Sequence, residues 1–151
     1  MTGRRTAASP GSSPAQTRAL QAALTAEHAA VYGYGVVGAN LNGSARAAAT
    51  ADWLAHQDLR DALEAMLRTR GSQPAAAAAA YQLPISVRTA HQAAALAALL
   101  EDRITTAYLG LVALSSPSLR EFGATQVRAA ALRAAAWRGS TVAFPGLPVG
   151  G

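Results

Sequence analysis

Residues 14–41 read PAQTRALQAALTAEHAAVYGYGVVGANL. Within this stretch Leu20, Ala23, Glu27, Ala30, Tyr34, Val37 and Leu41 follow one another in alternating steps of four and three. Such spacing lays one stripe along a helix. The stripe is apolar except at Glu27. Ser13 before Pro14 is a favoured N-cap followed by a favoured first helical residue. At the other end, Asn42-Gly43-Ser44 closes the helix near Leu41, with Gly43 as the residue after the cap and Ser44 as the next N-cap.

Three further segments repeat the pattern. One carries Ala49, Asp52, His56, Leu59, Leu63 and Met66 and stops at about Arg70, before Gly71. The next is capped by Ser86, carries Ala94, Ala97, Glu101, Ile104, Tyr108 and Leu111, and ends near Leu114. The last has Ser116 as N-cap and Pro117 at its first position. It carries Phe122, Thr125, Ala129, Leu132 and Ala136 and ends near Arg138. Four amphipathic helices of similar length predict an all-α four-helix bundle with crossings near 20°. The first and third links are short, so they join antiparallel neighbours. The second, residues 71–86, is long enough to return along the bundle, although its six alanines at 75–80 also suit a helical turn. A long crossover between helices 2 and 3 is the ferritin-like arrangement. Residues 1–13 read as a disordered tail, 14–139 as the bundle, and 140–151, with Phe144-Pro145-Gly146-Leu147-Pro148, as an extended strap.

Composition agrees with an all-helical chain. Alanine, the strongest helix former, supplies about a quarter of the 151 residues. No cysteine is present, which excludes disulfides and thiolate metal sites. The net charge is +5, and every basic residue is arginine. The excess positive charge sits in the first twenty residues and the last helix, where four arginines are spread out rather than clustered on one surface, so a nucleic-acid partner is not expected. Every long apolar run is broken by charge, as at Glu101-Asp102-Arg103, so no membrane span is expected. Arg4-Arg5 is followed by Ser, Pro and Gly rather than an apolar region, which points to a cytoplasmic protein.

The departures from a plain bundle are polar residues inside the stripes. Glu27, His56 and Glu101 each fall near mid-helix and project toward the axis at comparable depth. Burying such groups unpartnered is costly. Two carboxylates and an imidazole suit a single divalent ion of iron, manganese or zinc. The other reading has no metal and a buried hydrogen-bond network, with Asp52 beside it and Arg60, Tyr34 and Tyr108 available to close it. His28 reads as a boundary residue, His91 as exposed, and Trp53 and Trp137 as packing anchors. Gly33, Gly35 and Gly38 lower helix propensity and read as places of close helix approach or as an intersubunit face. No nucleophile–base constellation stands out, so the reading leans away from an enzyme.

The segments Glu27–Gly38 (EHAAVYGYGVVG), His56–Asp61 (HQDLRD), Leu100–Arg103 with Tyr108, and Ala136–Arg138, closed by Phe144–Pro148, are together similar to a family of short ferritin-like domains from high-GC bacteria, a domain of unknown function. The resemblance covers about residues 15–148. It implies a ferritin-like bundle and no established activity. Ferritin-like di-metal sites take a Glu from each of two helices and a Glu-x-x-His from each of the other two. Glu27 matches the first-helix glutamate, with Tyr34 two turns on; His56 matches the second-helix histidine; Glu101 matches the third-helix glutamate. Trp53 stands where the partner of His56 belongs, and the last helix offers no carboxylate or imidazole at mid-bundle. The resemblance thus implies a degenerate metal site. The chain is expected to act as a non-catalytic association module, a homodimer. A metal-binding protein using Glu27, His56 and Glu101 is the alternative.

Overall fold

A computed structural model describes residues 13–139 of the chain. Among these residues there are four α-helices and no strand: α1 (Pro14–Ala39), α2 (Gly43–Thr69), α3 (Ala90–Val112) and α4 (Pro117–Arg138). The expected tail, apart from Ser13, and the expected strap at 140–151 lie outside the described residues. None of the four helices is long and apolar enough to cross a membrane.

The helix ends follow local chemistry, with two corrections. Ser13 caps α1 as expected, its side chain accepting the Gln16 N–H at 3.2 Å. Gly43 adopts φ +55°, a conformation glycine tolerates best. It opens α2, however, and Asn42, rather than Ser44, holds the cap position. Gly71, at φ +73°, ends α2 as the sequence predicts. The Ser72 N–H turns back to the Leu67 carbonyl at 3.0 Å. The second correction concerns α3, which is capped by Thr89 and not by Ser86. Thr89 accepts the Gln92 N–H at 3.2 Å, and the Gln92 side chain accepts the Arg88 N–H at 2.8 Å. The reason is a period-two pattern before it. Leu83, Ile85 and Val87 alternate inward onto the core, so the chain remains extended past Ser86.

Hydrogen bonds fix the helix directions. Tyr34 meets Asp52 and Glu27 meets His56, so α1 and α2 are antiparallel. Tyr34 meets Glu101 and Glu27 meets Tyr108, so α3 is also antiparallel to α1. Arg133 meets Glu101 and Tyr108 meets Phe122 edge-on, so α4 is antiparallel to α3. Hence α2 and α3 run the same way, and the link between them has to return. It does so along α1. Gln21 holds Gln73 and Ala75, His28 donates from Nε2 to the Ala75 carbonyl at 3.0 Å, and Tyr81 lies against Tyr32. The alanines at 75–80 form no helix.

Two apolar clusters flank the middle. One gathers Leu20, Leu24, Leu63, Leu67, Ile104 and Leu111; the other gathers Tyr34, Val37, Leu41, Leu96, Ala97 and Leu100. Every stripe position predicted on α1 is buried. On α4 the stripe is turned by about one residue. Leu119, Gly123, Ala130 and Ala134 face inward, while Leu132 is 72% exposed. In a helix this rich in alanine, the apolar and outer faces differ little in hydropathy, so periodicity alone does not set the phase.

Gly123 shows how closely α4 approaches α3. A Cβ there would lie 2.8 Å from the Leu111 Cβ and 3.0 Å from the Tyr108 carbonyl oxygen. Gly123→Ala should therefore destabilise the chain by about 1–3 kcal/mol in urea unfolding, despite the helix preference for alanine. Thr89→Ala should lose about 1 kcal/mol as a missing cap, while Ser86→Ala should be close to neutral. Equal effects at both positions would contradict the cap assignment.

Candidate functional site: a buried carboxylate–imidazole–carboxylate layer

Between the apolar clusters lies a polar layer drawn from all four helices. Glu27 on α1, His56 on α2 and Glu101 on α3 are each fully buried. His56 stands between the two carboxylates. Its Nδ1 donates to Glu27 Oε2 at 2.7 Å, and its Nε2 donates to Glu101 Oε1 at 2.9 Å. An imidazole that donates from both nitrogens is the protonated form.

Two tyrosines and an arginine close the layer. Tyr108 donates to Glu27 Oε1 at 2.8 Å, and Tyr34 donates to Glu101 Oε1 at 2.6 Å. Arg133 of α4 donates from Nε to the same Glu101 oxygen at 3.0 Å. Asp52 sits at the edge, accepting from Tyr34 at 3.4 Å and from the Trp137 indole at 2.9 Å. Among the described residues, Glu101 Oε2 and Arg133 Nη2 are buried without a hydrogen-bond partner.

The electrostatics follow from this placement. Burial pulls the His56 pKa down, but the hydrogen bonds it donates to the two glutamates, together with their negative charge, outweigh burial and hold it at about 9. Burial pushes the Glu101 carboxyl up, yet His56 and Arg133 together bring it below its ordinary value. Burial and the adjacent glutamates raise both tyrosine hydroxyls well above the ordinary range, so they remain donors. Burial raises Asp52, against the opposing bond from Trp137.

The residues anticipated from sequence are thus brought together, with one exchange. Arg60 does not reach the layer; it pairs with its neighbour Asp61, Nε to Oδ1 at 2.8 Å. Arg133 closes the network instead. It was missed because the α4 stripe was phased one residue off. In the observed phase, Leu119, Gly123, Ala130, Arg133 and Trp137 follow one another at three-, four- and seven-residue steps. His28 is buried, 7% exposed, and bound to the link. His91 is exposed. Trp53 anchors through its indole N–H to the Val31 carbonyl at 3.1 Å.

As placed, Glu27, His56 and Glu101 do not fit one metal ion. The two imidazole nitrogens point in different directions, each to a different carboxylate. A ligand set would need one nitrogen and the carboxylate oxygens within about 2.2 Å of a common point. Arg133 adds a positive charge beside Glu101. Among the described residues no group of three or more His, Asp or Glu side chains converges as a metal site.

A family model described as a domain of unknown function, DUF4439, matches residues 19–149. The chain belongs to this family. The matched span includes every member of the polar layer, so the layer lies inside the DUF4439 domain. The chain is also similar to a conserved hypothetical protein of Mycobacterium tuberculosis, Rv2844, known from a crystal structure. The two are 35% identical, with a TM-score of 0.80, over 83% of this chain and 96% of that one. No curated protein matches.

The pH dependence has a definite sign. A folded pKa held above the ordinary 6.5 means that His56 stabilises the fold in full below about pH 6.5; the contribution declines as pH rises and is lost by about pH 9. The difference in unfolding free energy between the wild-type chain and His56→Gln should shrink over that window, and the imidazole nitrogen resonances should report protonation at pH 7. A neutral ring at pH 7 would refute the arrangement. Separately, Arg133→Met leaves Glu101 buried beside one cation fewer and should cost about 3 kcal/mol in urea unfolding.

Proposed function

We propose that this DUF4439 chain is a ferritin-like four-helix bundle whose mid-bundle metal position is degenerate. Protein charges fill it, and the domain acts in the cytoplasm as a non-catalytic homodimeric association module. One observation carries the reading: His56 donates to Glu27 through one nitrogen and to Glu101 through the other, while Arg133 holds Glu101 from α4. Ferritin-like metal sites draw their ligands from the same mid-helix positions. Here two cations of the protein neutralise the carboxylates instead. The parallel course of α2 and α3, with a returning link along α1, supports the ferritin-like topology with its long crossover between helices 2 and 3.

The layer engages both imidazole nitrogens and three of the four glutamate oxygens, and leaves Glu101 Oε2 buried and unpartnered. It sets helix register, the best-attested use of a buried polar group. The association reading draws support from the surface. Leu132 on α4 and Leu54 on α2 are 72% and 50% exposed, apolar side chains that a second copy would cover.

Metal analysis separates this reading from the metal-binding one. Protein purified without chelator, and again after incubation with ferrous iron, should contain far less than one equivalent of iron, manganese or zinc. A stoichiometric metal that disappears in His56→Ala would overturn the proposal and establish the alternative. Light scattering at micromolar concentration should give the mass of two chains, reduced toward one by Leu132→Asp. A single-chain mass for the wild-type protein would remove the association module.

A further inference from the structure

A groove opens on the outer side of α1 and α2, beside Tyr34 and Trp53, with a volume of about 270 Å³. Its floor is made by Gly35 and Gly38, and Arg46 and Thr50 form its α2 wall. The two glycines lack the usual reasons for their presence. Neither has a positive φ, and a Cβ built on either meets nothing within 4 Å. A glycine inside a helix weakens it relative to alanine, so two of them with no close helix neighbour clear room for something else. The volume falls below the roughly 300–1,000 Å³ common for small-molecule pockets.

We propose that this groove seats the chain's own segment 141–149, TVAFPGLPV, docked across α1 and α2. The starting point is close. The described chain ends at Gly139, two residues after Trp137, whose ring centroid is 6.5 Å from that of Tyr34 in the groove wall. A run of this length can span roughly 30 Å. The chemistry matches as well. The segment carries no charge and contains Pro145 and Pro148. Prolines favour the polyproline II helix, with three residues per turn, in which residues three apart, such as Phe144 and Leu147, would share a face in the proposed docking. Aromatic-lined grooves are the usual seat of such segments. Trp53 has its N–H bonded to Val31 and lines the groove. The family match extends to residue 149 and therefore includes the segment.

The chain has no cysteine, so a nitroxide on Thr50→Cys marks the groove alone. In the full-length, isotope-labelled protein, amide signals from residues 142–149 should be broadened strongly. A nitroxide on Ser118→Cys should leave them sharp. Gly35→Leu/Gly38→Leu should abolish the broadening while helix signals persist. Absence of broadening overturns the proposal. So does broadening seen only when the nitroxide is on a second, unlabelled chain, which would assign the groove to another copy. A thermal measurement is independent of the spin label. Gly35→Ala/Gly38→Ala should lower the Tm of the full chain, because the groove is filled; a raised Tm, the ordinary gain from helix propensity, would show it is not.

Discussion

The placement of His56 between Glu27 and Glu101 is the constraint around which the rest of the core is arranged. Two carboxylates at the centre of an apolar core are strongly unfavourable unless cations and donors surround them. A protonated imidazole bonded to both removes one charge and satisfies an oxygen on each side. Arg133 supplies the second positive charge, and the two tyrosine hydroxyls take up further lone pairs. Each donor reaches its acceptor only if α1, α2, α3 and α4 keep one register. Shifting any helix by a turn would leave a buried charge unpaired. The layer thus specifies alignment where an alanine-rich, weakly differentiated core would not.

That division of labour explains the composition. The apolar clusters above and below the layer are built largely from alanine and leucine, with few aromatic rings. Small side chains let helices approach closely, as Gly123 does against Leu111 and the Tyr108 carbonyl. Close approach brings gain from dispersion and burial, but alanine faces resemble one another, and many slipped packings would be similar in energy. A polar layer distinguishes among them. Three of the aromatic residues, Tyr34, Tyr108 and Trp137, use their polar ends on this network.

The layer also bears on how buried carboxylates can be neutralised. A metal ion can satisfy several carboxylates at once because its charge is concentrated at a point. An imidazolium and a guanidinium spread theirs, and each needs donors aimed along fixed directions. The chain belongs to the DUF4439 family and is similar to Rv2844. Within the domain, the charged residues at mid-helix bond to one another.

Sequence alone determined the helices, because local signals decide them: alternating three- and four-residue spacing, Ser13-Pro14 at the start of α1, and Gly71 at the end of α2. It also placed Glu27, His56 and Glu101 at one depth, since α1, α2 and α3 each carry leucine, isoleucine or tyrosine that sets the phase of the stripe. The start of α3 was misplaced because Leu83, Ile85 and Val87 form a two-residue alternation that only has meaning against a core. The phase of α4 was not legible, because its alanines serve equally on either face, and with it Arg133 was hidden. Which arginine closes the layer is a matter of distance across the fold: Arg60, nearer to His56 in sequence, turns to Asp61, while Arg133, far away in the chain, arrives on the facing helix. A charge finds its partner through space, so tertiary structure decided that, and with it whether the three mid-helix residues converge on an ion or bond to one another.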